Sequence, residues 1–437
     1  MKQLAIIGSG ISGLGCLYFL HEHYQITLYE KNDYIGGHTN TVDVEENGKK
    51  LPVDTGFMVF NKVTYPNLLQ LFDTLAIPYK PTDMSFSVRH EALNLEWNGA
   101  GLNKLFGQRK NLFNLRFWRM LKQMERFNRE AVENLENPRY KTLSVAELVA
   151  ERGYGQDFLE LFMIPMSSAI WSTPPHKMIH FPARTLIRFF FNHGFLGLDT
   201  HHQWYTVEAG ARTYVHRLLS LCAPELQLNR TVVGVETQAS GQVKVTAQTP
   251  QGARESREFD RVIMASHADQ SLAMLTQPTP LQKAILSPFQ YQKNQATLHT
   301  DSTLLPKTQR CRASWNYQIR PAQGGDQTSE SVIYDAATHY WMNSLQGVSE
   351  HQDYLVTING EDWIQPDQIR NKIAYEHPIF DEAAIAAQDQ LPQLNQEGQQ
   401  TGIYFCGSYF RFGFHEDAFT SAVDLSTFLL GALSWKR

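Results

Sequence analysis

The chain has 437 residues, enough for two to four domains with sizeable cores at roughly 100 to 200 residues per domain. Its 42% hydrophobic, 12% aromatic and 19% charged residues are typical of a folded globular protein and exclude a disordered chain. Lys and Arg number 39 and Asp and Glu number 44. The net charge of −5 gives no global attraction for nucleic acid, so we expect no nucleic-acid partner.

The spacing of particular residue types predicts that disulfides, a metal site and a membrane span are absent. The four cysteines lie far apart without a Cys-x-x-Cys pair, which indicates a reducing, cytoplasmic compartment. No histidine or cysteine pair has the spacing of metal ligands, so we expect no metal. The N-terminal apolar run leads directly into glycines, as a first strand does, and no apolar stretch reaches the ~18 residues of a membrane span.

The first thirty residues predict a strand, a helix and a second strand. Leu4 to Ile7 is a continuous apolar run, a helical pattern extends from Ile11 to His23, and Gln25 to Tyr29 alternates towards Glu30. This order is a βαβ unit, and the acidic residue at the end of its second strand is placed to accept hydrogen bonds from ribose hydroxyls.

Three glycines in the first turn of this unit predict a dinucleotide site. Gly8 allows a tight turn, Gly10 lets the backbone approach a pyrophosphate, and Gly13 lets the helix pack against the strand. The diphosphate would then lie at a helix N-terminus, against Ser9, Ile11 and Ser12.

A second group of glycines favours FAD over NAD. Gly36 and Gly37 follow Lys31, and Gly56 comes shortly before Met58. A nicotinamide cofactor needs no second glycine pair, whereas a long flavin cofactor needs close backbone along its ribityl chain. The cofactor residues expected in this region are Lys31, Gly36, Gly37, His38, Thr39, Gly56, Phe57 and Met58.

Together these motifs resemble the FAD-dependent family of flavin amine oxidases, phytoene-type desaturases and protoporphyrinogen oxidases. That family carries an arginine where this chain has His38, and the imidazole can still donate a hydrogen bond to a phosphate. The resemblance implies that Val232 places a backbone group against the adenine and that the turn at Ala265 lies beside the cofactor. It also implies that the turn at Gly407 and Ser408 leads into a helix that faces the flavin pyrimidine.

The helix N-terminus that follows Gly413 has a specific electrostatic use. Reduction leaves negative charge near N1 and O2 of a flavin, and free N–H groups at a helix N-terminus stabilise an anion. The expected residues are Phe414, His415, Glu416 and Ala418. The alternative is a solvated polar helix start, which is the commoner meaning of acidic residues in a first turn.

A closer resemblance extends over the whole chain. Segments such as Pro165 to Pro175, Phe181 to Arg184, Val207 to Val215 and Tyr340 to Gln346 are similar to a bacterial subgroup of amine-oxidase-like proteins. Members of this subgroup are often encoded near, or fused to, cyclopropane-fatty-acid synthases. This association implies a lipid acyl substrate and a methyltransferase partner of that type.

The order of motifs predicts an α/β fold in which a Rossmann-type FAD-binding domain is interrupted by an α+β substrate domain. The FAD-binding domain comprises 1–60, 205–270 and 395–437, and the substrate domain comprises 61–204, with a helical insertion, and 271–394. Strand-like patterns in the second insertion cover Gln295 to His299, Ser331 to Tyr334 and Tyr354 to Ile358. Residues 322–331 predict an exposed loop.

Residues 104–129 carry eight basic side chains against a single acidic one, a net charge of +7. On a helical wheel Phe113, Phe117 and Phe127 share an apolar face opposite the arginines, which predicts an amphipathic basic helix. The helix either packs in an insertion domain with its charges in water or docks on anionic lipid at the inner membrane face.

Catalytic side chains are harder to identify. Phe189 to Leu196 either fills a core or lines a hydrocarbon channel, and His193 within it is a core histidine or an acid/base group. Phe414 and His415 are the other catalytic candidates. Amine oxidases of the family usually place a lysine near flavin N5, and Lys293 lies in the expected region without a clear register.

We therefore expect an FAD-dependent oxidoreductase, with FAD bound non-covalently, that takes a hydride from a lipid-like acyl substrate or rearranges it. Holding a C–H bond against the flavin needs positioning more than acid/base groups. The alternatives are a flavin amine oxidase and, in another class, a non-catalytic FAD-binding accessory protein of a lipid methyltransferase.

Overall fold

The computed structural model describes residues 1–140, 142–197, 202–322, 334–432 and 435. Its strands, in chain order, are β1 (Lys2–Ile7), β2 (Tyr24–Tyr29), β3 (Thr41–Glu46), β4 (Lys49–Asp54), β5 (Phe60–Asn61), β6 (Tyr79–Thr82), β7 (Phe86–His90), β8 (Leu95–Asn98), β9 (Trp204–Val207), β10 (Glu225–Gln227), β11 (Thr231–Thr237), β12 (Val243–Gln248), β13 (Arg254–Phe259), β14 (Arg261–Met264), β15 (Gln290–His299), β16 (Trp315–Pro321), β17 (Tyr334–Trp341), β18 (Leu355–Ile358), β19 (Ile369–Ile379) and β20 (Ile403–Phe405). Its helices are α1 (Ile11–Leu20), α2 (Pro66–Thr74), α3 (Leu102–Leu105), α4 (Leu115–Glu136), α5 (Val145–Arg152), α6 (Gln156–Phe158), α7 (Ile164–Trp171), α8 (Pro175–Met178), α9 (Ala183–Asn192), α10 (Arg212–Cys222), α11 (Ala268–Met274), α12 (Pro280–Leu286), α13 (Met342–Leu345), α14 (Glu382–Gln388), α15 (Leu391–Thr401) and α16 (His415–Leu430).

A five-stranded sheet with the order β10-β2-β1-β14-β20 forms the dinucleotide half of the molecule. All its pairings are parallel, and Ile7 lies opposite both Tyr29 and Met264. The apolar run of β1 is buried because helices cover such a sheet on both faces. This sheet and its helices confirm the predicted α/β fold class.

Helix α16 closes the sheet by packing against α1. A Cβ on Gly15 of α1 would lie 2.8 Å from Ala422 and 2.9 Å from Phe419 of α16, so this close approach requires glycine. The last helix of the chain is thereby placed beside the first glycine turn.

A seven-stranded sheet with the order β19-β15-β18-β17-β16-β7-β8 forms the opposite half. The sequence prediction of strands here is confirmed at β15 and at β18. The third predicted strand begins at Ser331, outside the described residues, and its last residue, Tyr334, begins β17. Residues 323–330 of the predicted loop also lie outside the described part of the chain.

The basic stretch 104–129 is not a single helix, which corrects the sequence prediction. It is divided among α3, a 3-10 turn at Arg109–Phe113 and α4. The break occurs because the Asn114 side chain caps α4 by accepting from Arg116 N and Phe117 N. Phe113, predicted on the buried face, lies before this cap and is 88% exposed.

Much of the predicted +7 charge is neutralised by groups from outside the stretch. Arg116 and Arg119 both pair with Asp157 of α6, and Arg126 pairs with Glu130. In the part of the chain that the structure describes, no helix is both long enough and apolar enough to span a bilayer.

Candidate functional site

A cavity of about 1220 Å³ lies between the two halves. It exceeds the usual size of small-ligand pockets and is large enough for a long cofactor with a substrate beside it. Most of the cofactor residues expected from the sequence line it: Gly8, Ser9, Gly10, Ile11, Ser12, Glu30, Lys31, Gly36, Gly37, His38, Gly56, Phe57, Met58, Val232, Ala265, Gly407, Ser408, Phe414, His415 and Ala418.

The dinucleotide end of the cavity is formed by backbone. Gly8 has a φ of +104°, and a Cβ there would lie 2.6 Å from Ala265 O, so the turn demands glycine. Gly10 has nothing within 4 Å of its Cβ position, and no side chain caps the N-terminus of α1 behind it. The free N–H groups of this turn therefore face open space, which fits a diphosphate.

Glu30 lies beside this turn as a buried acceptor. One carboxylate oxygen accepts from Ser9 N at 3.1 Å and Ser9 Oγ at 2.5 Å, and the other accepts from Asn32 N at 2.9 Å. These bonds fix the carboxylate at the cavity wall, and an ionised carboxylate has further acceptor sites for two ribose hydroxyls. Backbone turn and carboxylate together fit the nucleotide portion of FAD.

Three predicted cofactor residues do not line the cavity. A Cβ on Gly13 would lie 2.0 Å from Gly8 O, so its role is to let α1 approach the strand. Thr39 lies one layer behind and contacts Tyr214 Oη and, at 3.4 Å, His415 Nε2. Glu416 turns away and accepts from the backbone N–H groups of Asn67 and Leu68, so it caps α2 instead.

His38 contacts two residues, Tyr375 and His377, that the sequence did not predict to be at the site. Its ring stacks on Tyr375 with 4.5 Å between centroids and lies 5.2 Å from His377. Burial, followed by the neighbouring His377, lowers the pKa of His38 well below its ordinary value. His38 is therefore a neutral hydrogen-bonding group, not a substitute for the charge of an arginine.

Tyr375 and His377 come from β19, far from every glycine motif. Residues two apart on a strand face the same side, so both side chains reach the cavity wall together. The hydrogen bond between the Asn294 amide and His377 Nδ1 is 2.6 Å long. No motif marks these residues in the sequence, because only the pairing of β15 with β19 brings them to the site.

Helix α16 presents its N-terminus to the cavity. The His415 ring stacks on Phe57 at 3.8 Å, and its Nε2 forms a 2.8 Å hydrogen bond with Tyr214 Oη. Burial lowers the pKa of His415 to about 3, so it is neutral near pH 7. Asp417 accepts from Phe414 N at 2.9 Å and leaves the next N–H groups of the helix without a cap.

A second part of the cavity wall is apolar and aromatic. Phe189 and Phe414 stack at 4.8 Å, and Trp171 meets both rings at 4.9 and 5.9 Å. The further apolar residues on this wall are Met84, Phe86, Met166, Ile170, Phe195, Trp204, Trp315 and Tyr340. Such a wall can hold a hydrocarbon and exclude water.

His193 lies behind this wall and does not line the cavity. Its ring stacks on Phe189 at 3.8 Å, and its Nδ1 is hydrogen-bonded to Phe189 O. Burial lowers its pKa to about 4. The structure therefore indicates the core-histidine alternative.

Lys293 of β15 lines the cavity near its polar end. The sequence left its register open, and the structure places it one residue before Asn294, which contacts His377. None of the four cysteines, all within the described residues, lines the cavity. Cys406 lies against Cys16 with 3.7 Å between the sulfurs, which leaves FAD without a cysteine attachment. No group of side chains in the described ranges could hold a metal ion.

Comparisons with known proteins agree with this geometry. The family model for flavin containing amine oxidoreductases matches residues 11–426. A CLA-producing fatty acid isomerase from P. acnes has a TM-score of 0.65 at 13% identity, with 98% of both chains covered. Cyclohexylamine oxidase from Brevibacterium oxydans has a TM-score of 0.63 at 16% identity, with 98% of this chain and 99% of that chain covered. Putrescine oxidase bound to putrescine has a TM-score of 0.64 at 13% identity, with the same coverage.

At these identities the solved structures show a shared fold. The family model covers nearly the whole chain, and the cavity has the glycine turns and the carboxylate that FAD requires. The chain belongs to the flavin containing amine oxidoreductase family and is an FAD-dependent oxidoreductase.

Proposed function

We propose that the protein transfers a hydride to FAD from a lipid-like acyl substrate, or rearranges a double bond within one. The observation that carries this proposal is the aromatic wall around Phe189 and Phe414, which continues the cavity from the N-terminus of α16. A wall of this kind binds hydrocarbon by excluding water and offers no charge to pair with a polar substrate.

The reaction needs positioning more than it needs an acid or base. FAD, when bound, supplies the hydride acceptor. The chain holds the flavin through backbone on one side and aligns an acyl chain through aromatic rings on the other. His415 stays neutral, and the N–H groups of its helix turn would face the negative charge that FAD acquires on reduction and would stabilise it.

An acyl substrate is compatible with this fold, because a fatty acid isomerase shares it. We propose that the cavity residues named above hold the cofactor and that the FAD-binding domain comprises 1–60, 205–270 and 395–437. The proposed substrate domain comprises 61–204 and 271–394. The proposal also includes a methyltransferase partner that resembles cyclopropane-fatty-acid synthases. It further includes a position at the cytoplasmic face of a membrane.

Anaerobic flavin bleaching tests the substrate class. The purified protein is expected to show a flavin absorption spectrum. Desaturation should abolish its visible bands when saturated or unsaturated fatty acyl lipids are added without oxygen, whereas isomerisation returns the hydride to the chain and should leave the bands in place. Product analysis of the lipids then separates desaturation from isomerisation. Bleaching by amines alone, with no change in any acyl lipid, would overturn the proposal.

Lys293 favours a second candidate, a flavin amine oxidase. Lys293 lies at the cavity with an exposed side chain, so it can take the role that a lysine near N5 has in amine-oxidising relatives only if that side chain turns inwards. If the protein oxidises amines, Lys293→Met should slow flavin reduction by an amine by about a hundredfold or more, the lower range for a proton-transfer group. Lys283→Met on the exposed side of α12 is the matched control. Equal reduction rates in both variants would exclude this candidate.

A further inference from the structure

Five large apolar side chains project into solvent between residues 102 and 118. Their exposed fractions are 67% for Leu102, 44% for Leu112, 88% for Phe113, 78% for Leu115 and 46% for Trp118. Other exposed large apolar residues, such as Val63 and Leu221, lie far from these in the chain. We call the five residues the apolar tip. Scattered exposed apolar residues are ordinary, but five such residues within one short stretch of chain indicate an interaction surface.

The tip is held rigidly by polar anchors beneath it. Trp118 Nε1 donates to Leu112 O at 3.0 Å, and the Trp118 ring packs against Phe106 at 5.2 Å. Asn111 is buried and donates to Glu96 O at 2.9 Å, while Asn114 caps α4. Because Asn111 points inward and Asn114 ends the turn, the side chains of Leu112 and Phe113 are directed outward.

Cations surround the tip. No acidic residue occurs between 101 and 122, and Lys104, Arg109, Lys110 and Lys122 have no carboxylate within 4.0 Å in the described residues. Arg116 and Arg119 share the acidic side chains of Asp157 and Glu160. The immediate surroundings of the tip are therefore net positive.

We propose that the apolar tip inserts into an anionic lipid bilayer while the surrounding lysines and arginines contact lipid headgroups. Apolar side chains ringed by cations are what an interfacial membrane anchor requires, and tryptophan favours the level of the headgroups. The chain lies on the membrane through a turn, not through the basic face of one long helix. This docking does not depend on which substrate the flavin oxidises.

Co-sedimentation of the FAD-loaded protein with vesicles tests the proposal. Binding is expected to vesicles of phosphatidylcholine with phosphatidylglycerol and to be much weaker with phosphatidylcholine alone. The double variant Phe113→Ser and Leu115→Ser should lower the partition coefficient by at least about tenfold, because apolar burial drives insertion. Both side chains are exposed, so folding should not change, and Val63→Ser is the matched control.

A charge variant separates insertion from adsorption. Lys110→Gln with Lys122→Gln should weaken binding at low salt, and this difference should shrink at about 0.5 M salt, where charges are screened within a few ångströms. The apolar variant should remain defective at both salt concentrations. Unchanged binding by the Phe113 and Leu115 variant, or no binding by the wild type, would overturn the proposal. Concentration-dependent dimerisation lost in that variant, without vesicle binding, would instead identify a second copy as the occupant.

Discussion

The two walls of the large cavity differ in composition: one consists mainly of backbone and the other of aromatic side chains. At the cofactor end, backbone at Gly8, Gly10 and Gly37 comes close because side chains are absent. At the substrate end, large rings such as Phe189 and Trp171 fill the space. A wall of backbone can hold one kind of group in one geometry, whereas a wall of rings accepts any hydrocarbon of suitable shape. Cofactor choice is therefore strict, and substrate choice depends on side chains that can vary.

The largest effect on this contrast is expected from Gly10→Ala. The Gly10 backbone is extended, with a φ of −65°, and its Cβ position has nothing within 4 Å, so alanine should fold without strain. The added methyl group would occupy the space for the diphosphate. We expect FAD affinity to fall about a hundredfold, equivalent to ~3 kcal/mol, with an unchanged melting temperature of the FAD-free protein. Titration of FAD into the two apoproteins measures this.

Gly13→Ala is the matched control for that variant. A Cβ on Gly13 collides with Gly8 O, so this variant should lose thermal stability together with FAD binding. Unchanged FAD affinity in Gly10→Ala would show that the diphosphate does not lie at the N-terminus of α1.

The pH dependence of stability tests Asp417, whose carboxylate accepts from Phe414 N at the N-terminus of α16. Burial raises the pKa of its carboxyl from 3.8 to about 7, so the folded state binds a proton that the unfolded state releases. The stabilisation is complete below the unfolded pKa and is lost as the pH rises through about 7. Relative to Asp417→Asn, the wild type should lose about 2 to 3 kcal/mol of unfolding free energy between about pH 5 and pH 8.

Urea unfolding of the FAD-free proteins at both pH values measures this difference. The asparagine oxygen can still accept from Phe414 N, so the variant removes the titration and keeps the helix cap. The lowered pKa of buried histidines, such as His377, affects both proteins equally and cancels. Parallel pH profiles for the two proteins would contradict a raised pKa at Asp417.

The same contrast explains what could be predicted from the sequence. Gly8, Gly10 and Glu30 are local in the chain, and their spacing follows from the turn that they form, so the nucleotide site was predictable. Tyr375 and His377 reach the cavity only through the pairing of β19 with β15, and neither strand carries a motif. The aromatic wall was equally hard to predict, because a phenylalanine in a core and one on a cavity wall have the same local pattern.

The basic stretch shows the opposite kind of error. Its helical periodicity was real from Leu115 onwards, but the periodicity was extended through Asn114, whose side chain begins a new helix. Short polar residues compete with the helix backbone and favour caps, so a single asparagine was enough to redirect Phe113 from the core to solvent.

The smallest effect is expected at the substrate wall, from Phe189→Leu. The change removes the stacking with Phe414 while keeping most of the apolar volume, and aromatic pairs contribute about 0.5 to 1.5 kcal/mol. Leucine also presents less apolar surface to an acyl chain than phenylalanine does, so the KM for the proposed acyl substrate should rise about threefold to tenfold. Phe127→Leu, on the buried face of α4, is the matched control, because it also removes ring contacts from a buried site without touching the cavity. FAD affinity should be unchanged in both, since the backbone wall is intact. If Phe189→Leu weakened FAD binding while KM stayed constant, the ring would belong to the cofactor wall, and the division of the cavity into two walls would be wrong.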